Sequence, residues 1–80
     1  MNQRNEKENR EGYWEEYYNN GQLDYKGHYK DGVLDGYWER YYYNGQLWRK
    51  GHYKDGKREG YWEFFYDNGQ LYYKEFLARM

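Results

Sequence analysis

Aromatic and polar residues alternate along this chain with a period of two, the pattern of strands rather than helices. The alternating runs are broken by Asn-Gly at 20–21, 44–45 and 68–69, and by Asp-Gly at 31–32 and 55–56. Asn-Gly between two such runs is the strongest short hairpin signal, because both central residues of a type I′ turn need φ > 0. The pattern predicts an all-β chain of about six strands, near residues 13–18, 23–30, 35–43, 47–54, 59–66 and 71–77. They join in a simple antiparallel meander, a single-layer twisted sheet. Residues 1–11 are polar and lack apolar periodicity, so they read as a disordered tail or a short frayed helix.

The pattern also repeats. Gly-Tyr-Trp-Glu recurs at Gly12 to Glu15, Gly36 to Glu39 and Gly60 to Glu63, a spacing of 24 residues. Asn-Gly-Gln-Leu follows in each unit, at Asn20 to Leu23, Asn44 to Leu47 and Asn68 to Leu71. Two units share Lys-Gly-His-Tyr-Lys-Asp-Gly, at Lys26 to Gly32 and Lys50 to Gly56, whereas the third ends Lys74-Glu75-Phe76-Leu77-Ala78-Arg79-Met80. One repeat domain, 12–80, is therefore expected, in units 12–35, 36–59 and 60–80.

A two-residue turn centred on Asn20-Gly21 places Tyr18 opposite Leu23, Glu16 opposite Tyr25, Glu15 opposite Lys26, Trp14 opposite Gly27 and Tyr13 opposite His28. The same register puts Glu39 opposite Lys50, Glu63 opposite Lys74 and Trp38 opposite Gly51. Three hairpins thus share an opposite-charge pair, each worth about 0.2–1 kcal/mol. An indole facing a strand glycine can lie over its bare backbone. Two-residue turns at Asp31-Gly32 and Asp55-Gly56 set Tyr25 against Trp38, Arg49 against Trp62, His28 against Asp35, His52 against Glu59, and Gly27 beside Gly36. A wider loop through Asp35 is the alternative. Combined, the two registers slide each repeat by two residues and predict a sheared sheet.

Composition decides what such a sheet can bury. The 80 residues include 14 Tyr, 4 Trp and 3 Phe, but only five Leu, one Val and no Ile. A conventional aliphatic core cannot be built, so rings must supply the buried surface. Alternation gathers Trp14, Trp38 and Trp62 on one face with Tyr18, Tyr42, Tyr29 and Tyr53. The opposite face collects Glu15, Lys26, Glu39, Lys50, Glu63 and Lys74, together with Tyr13, Tyr17, Tyr37, Tyr41, Trp48, Tyr61, Phe65, Tyr72 and Phe76. That second face is too aromatic for an ordinary solvated one. Its rings either shield backbone and ion pairs or form a docking surface.

Net charge is -1, which argues against a globally basic nucleic-acid or membrane binder. The charge is nonetheless segregated. Residues 11–39 hold seven acids and two bases, and residues 40–58 hold six bases and one acid. No apolar run approaches a membrane span and no signal-peptide stretch opens the chain, so a cytoplasmic, soluble protein is expected.

Enzyme chemistry finds little to work with. Serine, threonine and cysteine are absent, which removes the usual nucleophiles. His28 and His52 occupy equivalent repeat positions, two strands and about 10 Å apart, too far to share a zinc ion. No catalytic residue, metal or cofactor is expected.

The units Gly-Tyr-Trp-Glu-x-x-Tyr-x-x-Asn-Gly-Gln-Leu and Gly-His-Tyr-Lys-Asp-Gly resemble MORN-type repeats in their bacterial variant, over residues 12–77. The resemblance implies an elongated single-layer sheet of stacked hairpins and a role in protein binding. It further implies a partner-neutralising protein of the antitoxin or immunity kind; a phage-encoded inhibitor of a host defence nuclease would also suit. The expected partner is therefore another protein, a toxin or nuclease, and Glu75, where the repeat glycine is lost, suggests a terminal capping unit. The expected anchors are Tyr41 with Trp48 and Phe65 with Tyr72, two ring plates flanked by Arg40, Arg49 and Lys50. Two other functions fit the residues. One is single-stranded RNA or DNA binding through exposed rings and the basic stretch, which the acidic first repeat opposes. The other is structural self-assembly through open sheet edges, with a homodimer or a larger partner covering one edge.

Overall fold

The Asp-Gly and Asn-Gly signals both reverse the chain, but by different turns. In the computed structural model, which describes residues 2–77, Asp31 and Gly32 have φ of 50° and 86°, and Asp55 and Gly56 have 52° and 82°. Both central residues are left-handed, as a two-residue hairpin turn requires. At Asn-Gly only the glycine is left-handed, with φ of 89° at Gly21. The Gly21 N–H donates to the Tyr18 carbonyl at 3.0 Å, and the Tyr18 N–H to the Gln22 carbonyl at 2.8 Å. The loop is therefore three residues, a type I turn closed by a glycine bulge, and not the two-residue turn expected. Asn20 serves it differently, accepting the Gln22 N–H on Oδ1 at 2.9 Å.

Seven antiparallel strands follow in sequential order: β1 Gln3–Arg4, β2 Arg10–Tyr17, β3 Leu23–Lys30, β4 Val33–Tyr41, β5 Leu47–Lys54, β6 Lys57–Phe65 and β7 Leu71–Leu77; the five turns join β2 to β7, and a loop closed by the Asn5 N–H on the Asn9 carbonyl joins β1 to β2. No helix occurs among the described residues. Part of the polar N-terminal segment is strand: Gln3 pairs with Glu11 and Arg4 with Arg10. Asn2 extends the cover, its amide exchanging hydrogen bonds with the Glu15 backbone at 2.7 and 2.8 Å. Residues 78–80, with which the third unit was expected to close, lie outside the described residues.

Within each hairpin the expected register holds through Tyr13–His28, Trp14–Gly27, Glu15–Lys26 and Glu16–Tyr25. It then shifts by one, so that Tyr17 instead of Tyr18 pairs with Leu23 and Asp24 is an extra residue. Trp48 and Tyr72 are the extra residues of the next two hairpins.

Between repeats the departure is larger. Lys30 pairs with Val33 and Tyr29 with Leu34, but Gly27 pairs with Trp38, leaving β4 two residues longer than β3 at this point. Gly36, at φ 119°, carries the bend, and His28 lies beside it. Tyr25 thus faces Arg40 and not Trp38, and Arg49 faces Phe64 and not Trp62, while His52 does face Glu59. The bulge cancels the expected slide of two residues per repeat. Trp14, Gly27, Trp38 and Gly51 now line up on one rung.

Indole packing accounts for the bulge. A Cβ on Gly27 would lie 2.6 Å from the Trp38 indole, and one on Gly51 2.2 Å from that of Trp62. Trp38 and Trp62 therefore each rest on the glycine of the preceding repeat, where the hairpin register alone pairs Trp38 with Gly51 of its own. Tyr29 meets Trp14 edge-on at 5.8 Å, and Tyr53 meets both Trp38 and Trp62 edge-on at 5.6 and 5.2 Å. Such pairs add about 0.5–1.5 kcal/mol each to area burial. Trp14, Trp38 and Trp62 are 3%, 6% and 1% exposed in a sheet only 11 Å thick.

Gly51→Val should lower stability by about 1–3 kcal/mol, the scale of overpacking, by displacing Trp62. Thermal melting checks this, and an unchanged midpoint would show that the indole does not need the bare backbone.

Candidate functional site

Two hydrogen-bond ladders lock the repeats together and leave the faces to differ. Tyr18 donates to the Tyr41 carbonyl at 2.7 Å and Tyr42 to the Phe65 carbonyl at 2.6 Å. Asn20 reaches the Tyr43 carbonyl and Asn44 the Asp67 carbonyl, at 3.1 and 2.8 Å. Each hairpin is thus tied to the next by side chains as well as strands.

The one-residue bulge redistributes the expected anchors. Trp48 pairs with no residue across the hairpin; it turns to the tryptophan face and stacks on Tyr42 at 5.1 Å and 18°. The Arg40 and Arg49 guanidinium groups lie over its ring at 5.0 and 4.9 Å. Arg49 also covers Trp38 at 5.4 Å, its Nε buried without a hydrogen-bond partner among the described residues, and Arg40 is held by Asp24 at 3.1 Å. Trp48, Arg40 and Arg49 do come together, as a packed cluster rather than a free plate. Tyr72 follows the same course and packs on Tyr66 at 4.6 Å. The pairs Tyr41–Trp48 and Phe65–Tyr72 do not form, since Tyr41 pairs with Leu47 and Phe65 with Leu71. Alternation counts residues singly and cannot register an extra one, so it placed Trp48 and Tyr72 on the wrong face.

On the second face two rungs run side by side. One is aromatic, in three ring pairs: Tyr13 with His28 at 5.6 Å, Tyr37 with His52 at 5.4 Å and Tyr61 with Phe76 at 4.7 Å. The other is charged and alternates Glu15, Lys26, Glu39, Lys50, Glu63 and Lys74. Each glutamate stands opposite the lysine expected of its hairpin. The close ion pairs run across the repeat boundary, Lys26–Glu39 and Lys50–Glu63, both at 3.4 Å.

Tyrosine hydroxyls clasp the first two glutamates. Tyr13 and Tyr17 both donate to Glu15 at 2.5 Å, and Tyr37 and Tyr41 to Glu39 at 2.6 and 2.5 Å. The Tyr13 and Tyr17 phenols hold the Glu15 carboxyl below its ordinary range. Burial works against charge on Glu39, but the Tyr37 and Tyr41 phenols and Lys26 outweigh it, and Glu39 is also lowered. Burial and the glutamate bond push Tyr13 up to about 12, and Tyr37 and Tyr41 rise for the same two reasons. The shielding role weighed for these rings thus describes repeats one and two.

Repeat three breaks the arrangement. Phe65 stands where Tyr17 and Tyr41 stand and has no hydroxyl, so Glu63 keeps Lys50 as its partner among the described residues. Phe76 stands where His28 and His52 stand. Tyr61 is 72% exposed and Phe76 61%, against 38% for Tyr37. Beside Tyr61 lies an open depression of 410 Å³ whose lining includes Tyr37, Lys50, His52, Glu59, Gly60 and Glu63. A Cβ on Gly60 would meet nothing within 4 Å, so the depression is open there. The Tyr61–Phe76 pair was not among the expected anchors. Substitution of histidine by Phe76 at a repeated position was the signal that pointed to it.

A family model described as MORN repeat variant matches the chain three times, at residues 10–31, 34–55 and 58–77. No curated protein and no solved structure matches it. No helix among the described residues is long and apolar enough to cross a membrane.

A lowered carboxyl stabilises the fold above the unfolded pKa, and that contribution is lost as pH falls through the folded value. Glu39→Gln should therefore cost about 1 kcal/mol or more at pH 7, with the gap to wild type closing below about pH 4. Urea unfolding at pH 7, 5 and 3 measures it, and a constant gap would show that the clasp does not depend on charge. Trp48→Ala should cost about 1–3 kcal/mol through its lost stack and cation contacts. An unchanged urea midpoint would mean that the arginine cluster is not packed.

Proposed function

Because the chain belongs to the MORN repeat variant family, we propose that it is a non-enzymatic binding module that docks a partner protein on its second face, at the Tyr61–Phe76 pair, and inhibits that partner by masking its working site. This is the action of an antitoxin or immunity protein, or of a phage inhibitor of a host nuclease. The observation that carries the reading is the joint exposure of Tyr61 and Phe76 at 72% and 61%, in mutual contact at 4.7 Å. Large rings held on adjacent strands lose little freedom on binding, and such residues dominate interface hot spots. The first two repeats carry imidazoles where Phe76 stands, so the third offers the more apolar patch.

Three observations favour a protein partner over the alternatives. Base stacking needs free rings beside free cations, but Arg40 and Arg49 already lie on Trp48 and Trp38. End-to-end assembly needs two open edges, but β1 and the Asn2 amide cover the β2 edge at Arg10, Glu11 and Glu15. Glu75 also stands where Gly27 and Gly51 receive an indole, so a further repeat cannot seat its tryptophan on β7 in the same way.

The test is a Tyr61→Ser, Phe76→Ser double variant. Its melting should change little, because an exposed cross-strand pair contributes about 0.2–1 kcal/mol. Wild type should capture a protein from an extract of the source organism and lower that protein's activity. The double variant should bind it roughly 30-fold more weakly, about 2 kcal/mol. Capture and inhibition equal to wild type would overturn the reading.

A further inference from the structure

Beside that docking reading, and independently of it, we propose that the open edge of β7 binds an extended, acidic segment of a partner protein. The segment adds a further strand, antiparallel to β7, with a glutamate opposite Lys74 and an aromatic residue directly after it. No strand covers the outer side of β7 among the described residues. An edge strand presents a row of unpaired N–H and C=O groups that a second chain can extend.

The earlier repeats show what β7 lacks. Tyr18 and Tyr42 each give their hydroxyl to a carbonyl of the next hairpin, those of Tyr41 and Phe65, at 2.7 and 2.6 Å. The Asn20 and Asn44 amides donate to the carbonyls of Tyr43 and Asp67 in the same way. Tyr66 and Asn68 are the third set. Tyr66 packs on Tyr72 at 4.6 Å as Tyr42 packs on Trp48 at 5.1 Å, so its ring takes the same seat. Its hydroxyl donates to nothing among the described residues, and the Asn68 amide reaches only the Gln70 side chain, at 3.5 Å. Two donors that elsewhere hold a neighbouring backbone thus stand at an edge without one.

Charge selects the occupant. Lys26 and Lys50 stand opposite the glutamate of their own hairpin but close on that of the next, Glu39 and Glu63, at 3.4 Å. Lys74 stands opposite Glu63 and has no next strand. It is exposed and makes no ion pair among the described residues. The neighbouring Glu75 points to the first face, where Arg58 holds it at 3.0 Å and the Tyr73 hydroxyl donates to it at 3.1 Å. Asp67 lies outside the strand, in the loop. The ladder of alternating charges therefore ends on a free cation, and the strand that continues it brings an acid.

The register of the repeat boundaries gives the rest of the segment. Lys26 pairs with Glu39 and Tyr25 with Arg40; Lys50 pairs with Glu63 and Arg49 with Phe64. The residue after the acid therefore meets Tyr73, which with Tyr72 and Phe64 forms a ring cluster, and both tyrosines are exposed. An aromatic residue joins that cluster. The residue before the acid meets Glu75, where a small hydroxyl side chain fits. The Tyr66 hydroxyl then reaches the carbonyl two residues beyond the acid, and the Asn68 amide the carbonyl four beyond. A second copy of this chain does not meet these demands. Antiparallel pairing of two β7 strands sets Lys74 against itself or against a ring. The acid that would continue the ladder from β2 is Glu15, whose backbone N–H and carbonyl are taken by Asn2.

The probe is the capped, fluorescein-labelled peptide Ser-Val-Thr-Glu-Phe-Thr-Ser-Ser-Thr, titrated by anisotropy against the full chain. Its control exchanges the glutamate with the threonine before it, which carries the acid to the face of Glu75. The first should bind roughly fivefold or more tightly than the control. Lys74→Glu should abolish that preference, and a peptide with lysine in place of the glutamate should then bind the variant as the first binds wild type. Tyr66→Phe, which removes only the hydroxyl, should weaken the first peptide roughly threefold. Tyr61→Ser should leave it unchanged. Equal binding of both peptides, indifference to Tyr66→Phe, or no binding at about 1 mM peptide would each overturn the proposal; Tyr66→Phe decides the case if Lys74→Glu does not fold. Sedimentation of the chain as a dimer that Tyr66→Phe weakens would also overturn it, because a second copy would then hold the edge. If the peptides fail while partner capture still depends on Tyr61 and Phe76, the edge proposal falls and the docking reading stands. If the peptides bind as stated and capture ignores those two rings, the docking reading falls alone.

Discussion

An indole lying on a glycine is the contact on which the rest of this molecule depends. A one-layer sheet has no second layer to bury its side chains against, so its core must be made within the layer. Trp38 on Gly27 and Trp62 on Gly51 achieve this by placing the largest side chain over the smallest residue of the neighbouring strand. Tyr29 and Tyr53 close the sides edge-on, and Arg10 caps the first tryptophan at 4.5 Å. The requirement that each indole reach back to the previous repeat sets the register between repeats. The wide bulge, the left-handed Gly36 and the absence of shear all follow from it.

The second face meets a different constraint. Glutamates here sit under tyrosine rings, and a carboxylate in that setting needs donors. Paired phenols from two residues either side supply them at Glu15 and Glu39, and a lysine from the neighbouring repeat adds a charge at Glu39. The result is a surface that is aromatic in area but polar in its commitments. This explains how a chain so rich in tyrosine can leave a whole face uncovered. It also explains why departures in the third repeat matter. Phe65 withdraws a donor, Phe76 replaces an imidazole, and Tyr61 and Phe76 stand exposed together. The face changes there from a closed polar network to an apolar patch beside an incompletely bonded carboxylate.

Much of this was readable in the residues themselves. Period-two alternation and five Gly-centred turn signals determined an antiparallel meander, because each element pairs only with its neighbour and each turn residue has few conformations to choose from. The hairpin registers away from the Asn-Gly loop were also readable, since Glu15–Lys26 and its two equivalents satisfy one register only. The outer strand β1 was not, because a pair of residues such as Gln3 and Arg4 carries no periodicity and is held by the β2 edge it meets.

What the tertiary structure alone decided is every place where the count of residues on paired strands is unequal. Asp24, Trp48 and Tyr72 bulge because the Asn-Gly loop holds three residues and not two, closed by the Tyr18 N–H on the Gln22 carbonyl, the Gln22 N–H on Asn20 Oδ1 and the left-handed Gly21. That single inserted residue carried Trp48 and Tyr72 to the face opposite the one alternation assigns. The two-residue bulge at each repeat boundary was equally hidden, because local turn chemistry at Asp-Gly favours the tight turn that is in fact formed. Only the distant indole, seeking a glycine on the strand before it, shifts the register beyond that turn. Local sequence therefore set which strands pair, and packing between repeats set which residues face each other and which rings remain in solvent.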